Sequence, residues 1–244
     1  MNLAIDIGNT RVKIGVFDKD NLVFKAISDH IFPEKIIELA TNHSIKNIIL
    51  STVAKSLDEN LVKTLKEKFV YLELNENTPL PVQNLYKTPA TLGKDRLAAI
   101  VGAYSLYPNT NCLVIDAGSC ITYDILTEDR RFLGGNISPG MKMRLKAMHT
   151  FTERLPLPED AETGLNWGNT TETALLNGAK LATVLEMQGF IDLCNDQFGA
   201  TNVFLTGGDA DFFANKLKKK IFVHPNLVLL GLNKILNYNV EEIK

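Results

Sequence analysis

Residues 2 to 7 alternate, with Leu3, Ile5 and Ile7 set against Asn2, Ala4 and Asp6, which is the two-residue period of a strand buried on one face. After Gly8-Asn9-Thr10, the apolar positions Val12, Ile14 and Val16 alternate with Arg11, Lys13 and Gly15, so a second strand is predicted as the hairpin partner of the first. Leu22 to Ile27 reads as a third strand. The period then changes. Pro33 to Leu39 has a helix-start proline and helical spacing, Asn47 to Ser51 is strand-like, Leu57 to Lys68 is an amphipathic helix, and Val70 to Leu74 is again a strand. The predicted order is βββαβαβ.

A proline-containing connector from Thr78 to Pro89 leads to Gly93-Lys94-Asp95-Arg96 and a helix whose apolar face is Leu97, Ile100, Val101 and Tyr104, with Pro108 ending it. The opening pattern then returns: strand Cys112 to Ile115, turn Asp116 to Ser119, strand Ile121 to Leu126, and a third strand around Phe132 to Ile137. One long helix is predicted from about Thr171 to Cys194, with Asn169 and Glu172 as its capping box. Strand Asn202 to Leu205, a short helix after Gly207-Gly208, strand Ile221 to Val223 and a last helix from Leu227 to about Tyr238 complete the second half. The fold class expected is α/β, a diverged duplication with one half over residues 1–110 and the other over 111–244.

The length of 244 residues fits two such lobes at roughly 150 residues or fewer per domain. With 26 basic and 28 acidic residues the formal net charge is −2, which counts against a protein that coats nucleic acid or an anionic membrane. Cys112, Cys120 and Cys194 form no CxxC pair, and His30, His43, His149 and His224 have no metal-ligand spacing, so neither a disulfide framework nor a zinc site is indicated. The start of the chain has no basic and apolar leader, and no run reaches the ~20 apolar residues of a membrane span. A cytoplasmic, soluble protein with no nucleic-acid or membrane partner is expected.

Candidate chemistry begins with two matching turns, Asp6-Ile7-Gly8-Asn9-Thr10 and Asp116-Ala117-Gly118-Ser119, each a strand-end Asp two positions before a Gly. A tight glycine turn brings backbone N–H groups to phosphate oxygens, hydroxyl or amide side chains add donors, and an Asp oxygen can position a cation. Singly, Gly-Asn and Gly-Ser are ordinary hairpin turns; in matching positions of related halves, they suggest a nucleotide clamp across a cleft. No GxxxxGK[ST] loop exists, and Gly8 precedes a strand rather than a helix, against a dinucleotide fold. Lys13, on the same strand face as Arg11, is either a solvated lysine or a point charge for a terminal phosphate.

Gly93-Lys94-Asp95-Arg96 opens a helix, where orphan N–H groups favour anions. Asp95 is there either a helix cap or a carboxylate that accepts the proton of a substrate hydroxyl, while Arg96 could fix an anionic or amide-bearing substrate. Gly134 to Gly140 reads as a close-approach turn after the third strand of the second half. The strand end Thr206-Gly207-Gly208 could approach a base or ribose, and Trp167 to Thr171 is either a cap or the carrier of a hydroxyl for a substrate.

In this order, Asp6 to Thr10, Gly93 to Arg96, Asp116 to Ser119, Gly134 to Gly140, Gly168 to Gly178 and Thr206 to Gly208 resemble the type III pantothenate kinase family of the acetate and sugar kinase/Hsp70/actin superfamily, over nearly the whole chain. The resemblance implies two ribonuclease H-like, actin-like ATPase domains, with mixed sheets flanked by helices, closing on ATP. It implies phosphorylation of pantothenate to 4'-phosphopantothenate, the first step of coenzyme A biosynthesis. By position, Asp6, Ile7, Gly8, Asn9, Thr10, Arg11, Val12, Lys13 and Ser119 would bind ATP. Asp95 would be the proton acceptor, and Tyr86, Gly93, Lys94, Asp95 and Arg96 would bind pantothenate. Asp116 would hold an activating monovalent cation, K⁺ or NH₄⁺, and Mg²⁺ would arrive with ATP. Thr171 would reach the substrate of the partner subunit in a homodimer. Cys120 stands where the family often has Ala, and Lys94 fills a variable position. Other readings keep the clamp but change the acceptor to a sugar, a carboxylate or water, or make the protein a nucleotide-binding accessory regulator of transcription. Without a helix-turn-helix pattern, and with Lys216 and Lys218 to Lys220 read as a solvated helix end, direct DNA binding is disfavoured.

Overall fold

The computed structural model describes residues 1–30, 33–52, 57–164 and 166–242. Along the chain run β1 (Asn2–Ile7), β2 (Val12–Asp18), β3 (Asn21–Ser28), α1 (Pro33–Asn42), β4 (Asn47–Thr52), α2 (Glu59–Lys68), β5 (Val70–Glu73), β6 (Gln83–Asn84) and α3 (Lys94–Leu106). There follow β7 (Cys112–Ala117), β8 (Cys120–Leu126), β9 (Arg131–Pro139), α4 (Met141–Thr150), α5 (Thr171–Ala179), α6 (Leu181–Phe198), β10 (Asn202–Thr206), α7 (Ala210–Ala214), β11 (Phe222–Val223) and α8 (Leu227–Glu242). Among the described residues no helix is long and apolar enough to cross a membrane.

Two compact units form. The first takes residues 1–110 together with 126–134 and 226–244; the second takes 111–125 and 135–225. The division at 110 falls where the hydrophobic pattern restarts, but the second unit is not the continuous 111–244 expected, because α8 packs on α3, β1 and β4 of the first. In the first unit the sheet order is β3-β2-β1-β4-β5. The other sheet has six strands in the order β6-β9-β8-β7-β10-β11, and from β9 to β11 it follows the same path. Repetition of that topology is the structural counterpart of the repeated sequence pattern.

β1 pairs antiparallel with β2 and parallel with β4. Its alternation predicted one buried face, yet all six residues are buried. Leu3, Ile5 and Ile7 join the core with Ile36 and Leu39 of α1 and Leu61 and Leu65 of α2. The opposite face is also covered: Asn2 Nδ2 donates to Asn233 Oδ1 at 2.8 Å and to Asn237 Oδ1 at 2.7 Å, both on α8. Small and polar residues on that face therefore fit beneath a helix rather than meeting solvent. α3 is likewise more enclosed than its predicted apolar face, being buried from Arg96 through Ala103. It crosses α8 so closely that a Cβ on Gly231 would stand 1.7 Å from the Ala98 carbonyl oxygen.

Three local expectations change in the second unit. The segment Gly134 to Pro139 is not a turn but the continuation of β9. Its glycines permit close backbone approach within a strand: a Cβ on Gly135 would lie 1.7 Å from the Tyr123 carbonyl oxygen. The helix expected from Thr171 to Cys194 is two helices interrupted at Lys180. Its capping box is formed by Thr170 and Thr173, not Asn169 and Glu172. Thr170 Oγ1 accepts from the Thr173 N–H at 3.2 Å, and Thr173 Oγ1 accepts from the Thr170 N–H at 3.0 Å.

Candidate functional site

The first turn is built by the β1–β2 hairpin. The Gly8 N–H donates to the Arg11 carbonyl at 3.0 Å, which closes the loop and leaves Asn9, Thr10 and Arg11 exposed. Ile7 and Val12 flank it at 7% and 4% exposure, so their side chains belong to the core and only their backbone can meet a ligand. Asp6 is 4% exposed at the end of β1. It is in register with Lys13 on β2 and with Ser51 on β4, so the three side chains share one face of the sheet. Ser51 Oγ donates to Asp6 Oδ1 at 3.2 Å. Ser51 was missed from sequence; the only signal was a hydroxyl ending the apolar run Ile48-Ile49-Leu50.

Gly93-Lys94-Asp95-Arg96 also lies in the first unit. Gly93 is the N-cap of α3, and Asp95 sits in its first turn. Asp95 is therefore not the N-cap itself. Its Oδ1 accepts the Arg96 backbone N–H at 2.8 Å, so the helix end holds a half-buried carboxylate in a fixed orientation. Arg96 is 6% exposed, with its guanidinium carbon 5.5 Å from the centre of the Tyr86 ring. Tyr86 in turn stacks on Phe132 at 6.4 Å with 10° between the planes. Pairing of β6 with Arg131 and Phe132 brings this connector into place. Gly134, with φ +99°, leaves room for the ring, since a Cβ there would be 2.9 Å from Tyr86 Cδ2. Tyr86 and Arg96, separated in sequence, are thus neighbours, and Lys94 is half-buried at the helix start.

In the second unit β7 and β8 are joined by Gly118-Ser119, a shorter link than Gly8 to Arg11 in the first. The Gly118 N–H donates to the Cys120 carbonyl at 2.9 Å, and Ser119 and Cys120 are exposed. Gly140 supports this turn: its N–H donates to the Ser119 carbonyl at 3.0 Å, and a Cβ on it would stand 2.2 Å from the Gly118 carbonyl. Asp116, half-buried, ends β7 in register with Thr206 of β10. Gly207 follows Thr206 at φ +99°, and a Cβ there would be 2.6 Å from Asp116 Oδ1. Among the described residues no three His, Cys, Asp or Glu side chains cluster as a metal site. Thr171 is exposed at the first position of α5.

A polar cluster behind the second turn was also missed. Tyr123 of β8 donates to Glu186 of α6 at 2.8 Å, and Arg144 of α4 donates to the other Glu186 oxygen. Burial opposes ionisation of Glu186, but hydrogen bonds from Arg144, Ser138 and Tyr123 hold its carboxyl below the usual range, while burial first and then the Glu186 carboxylate push the Tyr123 phenol upward. A cavity of about 930 Å³ opens elsewhere in this unit, lined by Trp167, Lys180, Leu185, Phe212 and Lys216 among others, and holds none of the predicted site residues. Two of its three lysines are ion-paired, Lys180 with Asp160 and Lys216 with Glu162. The basic run read as a helix end lies beyond the last residue of α7, and Lys219 is paired with Asp192.

Duplicated five-stranded units of this topology define the ribonuclease H-like fold of actin-like ATPases and sugar kinases. A crystal structure from Campylobacter jejuni, described as a candidate Baf family transcriptional activator, matches with a TM-score of 0.62 at 24% identity, covering 98% of this chain and 99% of that one. A Listeria monocytogenes protein described as a candidate N-acetylmannosamine kinase matches at 0.58 and 14%, with the same coverage. At such identities the likeness speaks for the fold. The family is given by sequence: residues 2–193 match the model of the type III pantothenate kinase family. Type III pantothenate kinases of Bacteroides fragilis and Phocaeicola vulgatus are 43% and 44% identical over 239 and 241 residues, covering 98% of this chain and 98% and 99% of theirs. The chain belongs to the type III pantothenate kinase family.

Proposed function

We propose that the protein transfers the terminal phosphoryl group of ATP to the primary hydroxyl of pantothenate, giving 4'-phosphopantothenate. The observation that carries this reading is the Asp95, Arg96 and Tyr86 cluster at the start of α3, in a chain that belongs to this family over nearly its whole length. Phosphoryl transfer asks a protein mainly for alignment and charge stabilisation. Asn9, Thr10, Arg11 and Ser119, exposed on turns that the Gly8 and Gly118 N–H groups close from within, receive phosphate oxygens in this reading, and Lys13 adds a point charge. Ile7 and Val12 contribute through backbone alone, because their side chains are core.

Arg96, fixed against Tyr86, orients pantothenate beside Gly93 and Lys94, and Asp95 takes the hydroxyl proton as its oxygen attacks phosphorus. Alignment in ideal intramolecular systems is worth ~7–11 kcal/mol, against the ~10²–10⁴-fold of general-base assistance. Orientation is therefore the larger contribution, and the helix-held Asp95 serves both. Mg²⁺ carried by ATP supplies neutralising charge to the phosphates; it needs few protein ligands, and Asp6, seated beside Ser51, suits the hydration shell of such an ion. Asp116 suits a hard monovalent cation, K⁺ or NH₄⁺, together with carbonyl oxygens, since Gly207 has no side chain to crowd Oδ1. The reading extends to a homodimer in which the exposed Thr171 reaches the partner's pantothenate.

ADP release is the test, measured with pantothenate, sugars or acetate as acceptor, with and without K⁺ or NH₄⁺. Release that depends on pantothenate and rises with the monovalent cation is expected. Release independent of pantothenate would overturn the proposed acceptor, and indifference to the cation would remove Asp116 from its role.

A further inference from the structure

Arg144 joins three elements of the second unit around one short segment. Its Nε donates to the Pro139 carbonyl at 2.8 Å, and a terminal nitrogen donates to Ser138 Oγ at 2.6 Å and to Glu186 of α6. Its backbone N–H donates to the Gly140 carbonyl at 2.9 Å. One residue thus grips Ser138, Pro139 and Gly140 in succession. Glu186 is itself held from the other side by the Tyr123 hydroxyl, and the Tyr123 ring lies 4.3 Å from that of Phe190 on α6. The Arg144 and Glu186 side chains are 17% and 25% exposed, so solvent screens the pair weakly compared with a surface bridge.

The gripped segment is the one that supports the second turn. Gly140 lies under the Gly118 carbonyl and donates to the Ser119 carbonyl at 3.0 Å. A shift of Pro139 and Gly140 therefore moves Ser119 directly, with no flexible side chain between them to absorb the change. A pair that only fastened α4 to α6 would need the contact between Arg144 and Glu186 and nothing more. The additional bonds to Ser138 and Pro139 use the planar fork of the guanidinium, which an ammonium cannot reproduce.

We infer that Arg144, oriented by Glu186, is a positioning residue for the second phosphate turn: it sets where Ser119 meets the nucleotide, through Pro139 and Gly140. This rests on the reading of that turn as an ATP site.

Steady-state kinetics of Arg144→Lys, Glu186→Gln and Ser119→Glu test it, with the KM for ATP, the KM for pantothenate and the melting midpoint measured for each. Arg144→Lys keeps the charge opposite Glu186 and loses the fork. It is expected to raise the KM for ATP about tenfold, the scale of one charge-assisted hydrogen bond, with the KM for pantothenate unchanged and melting close to wild type. Glu186→Gln should raise the same constant by less, and it carries the test should the lysine variant fold poorly. Ser119→Glu puts a carboxylate on an exposed turn, where phosphate would repel it, and should raise the KM for ATP more than either. If Ser119→Glu leaves ATP unaffected, the turn is not a phosphate site and the inference falls with that reading. If Ser119→Glu raises the KM for ATP while the other two variants leave it within twofold, or raise both KM values in parallel with a lowered midpoint, then the turn stands and Arg144 is only packing.

Discussion

Replacing Gly231 with alanine sets a methyl carbon 1.7 Å from the Ala98 carbonyl oxygen and 2.6 Å from the carbonyl carbon. A close carbon–oxygen contact is ~3.3 Å, so α3 and α8 would have to part by roughly 1.6 Å at their crossing. Little can give. The opposing atoms are backbone, and one turn earlier the Leu227 carbonyl already lies 2.5 Å from where a Cβ on Gly102 would be. Further along α8, Asn233 and Asn237 are bonded to Asn2. Overpacking costs ~1–3 kcal/mol, and contact with backbone argues for the upper end; the intrinsic preference of a helix for alanine returns ~0.5–1 kcal/mol. A net loss of ~2 kcal/mol, at ~2–4 °C per kcal/mol for a chain of this size, lowers the melting midpoint by about 4–8 °C.

Function should suffer more than stability. Ala98 is one turn from Asp95, so separation of the helices displaces the carboxylate, and misplacement of ~1 Å can cost ~10²-fold in turnover. Thermal melting and kcat, measured well below the variant's own midpoint, would register both effects. The comparison is Gly189→Ala in α6, where nothing lies within 4 Å of the new methyl group. There the same substitution should stabilise by ~0.5–1 kcal/mol and leave kcat alone. A Gly231→Ala protein with wild-type melting and turnover would refute the close crossing and its link to Asp95.

Asp95→Asn should keep the bond from the Arg96 N–H yet lower turnover by about 10²–10⁴-fold, with ATP binding by calorimetry nearly intact; unchanged turnover would remove Asp95 from proton transfer. Asn2→Leu strips a partner from buried Asn233 and from half-buried Asn47 and Asn237, and at ~1–3 kcal/mol for an orphaned buried group a loss of about 2 kcal/mol is expected in urea unfolding. A loss below ~1 kcal/mol would mean that the network does not anchor α8. Burial lowers the pKa of His224 from the ordinary 6.5, and its Nδ1 has no hydrogen-bond partner, so the folded state favours the neutral ring. As pH falls below about 6.5 the unfolded chain takes up this proton first, so that stability present above 6.5 is lost as pH falls toward the lower folded value. His224→Asn should flatten that part of the pH dependence of the urea midpoint, and an equal slope in wild type and variant would rule His224 out as its source.

Local pattern carried the first hairpin, because alternation over six residues and a Gly-Asn turn act within one segment. Partner choice was not legible. The apolar spacing of Leu227 to Ile235 marks a helix but does not say that it covers β1, and the bond that reveals it joins residues 231 apart. The same distance effect made Asn2, Ala4 and Asp6 look like a solvent face. β6, at two residues, is too short to have a period, yet it carries Tyr86 to Arg96. The capping box was missed by one position because Asn169, Thr170 and Thr173 are all competent cap residues, and only backbone geometry selects between them. Of the residues proposed for function, Asp6, Asp95 and Ser119 stood out since turn and helix-start chemistry is local. Ser51, Arg144 and Glu186 did not, since their partners are set by register or by another element.

The repeated unit contains more than the motif that revealed it. In both halves the strand-end Asp faces a hydroxyl residue across a parallel pair: Asp6 opposite Ser51, and Asp116 opposite Thr206, with the two hydroxyl residues 0% and 1% exposed. A strand–turn–strand followed by a parallel strand beside the first sets this relation by register alone, so it survives divergence of the surrounding sequence. Around it the two copies have parted. The first keeps its Asp buried, places Lys13 in register beside it and carries a four-residue loop of polar side chains. The second has a two-residue link braced by Gly140, with its Asp half exposed against the backbone of Gly207. Duplication thus supplied the same backbone twice and left the surrounding side chains free to diverge, with a lysine beside the carboxylate in one copy and a glycine beside it in the other. Few charges are needed when register places them, which is why a chain of net charge −2 can serve a polyanionic substrate.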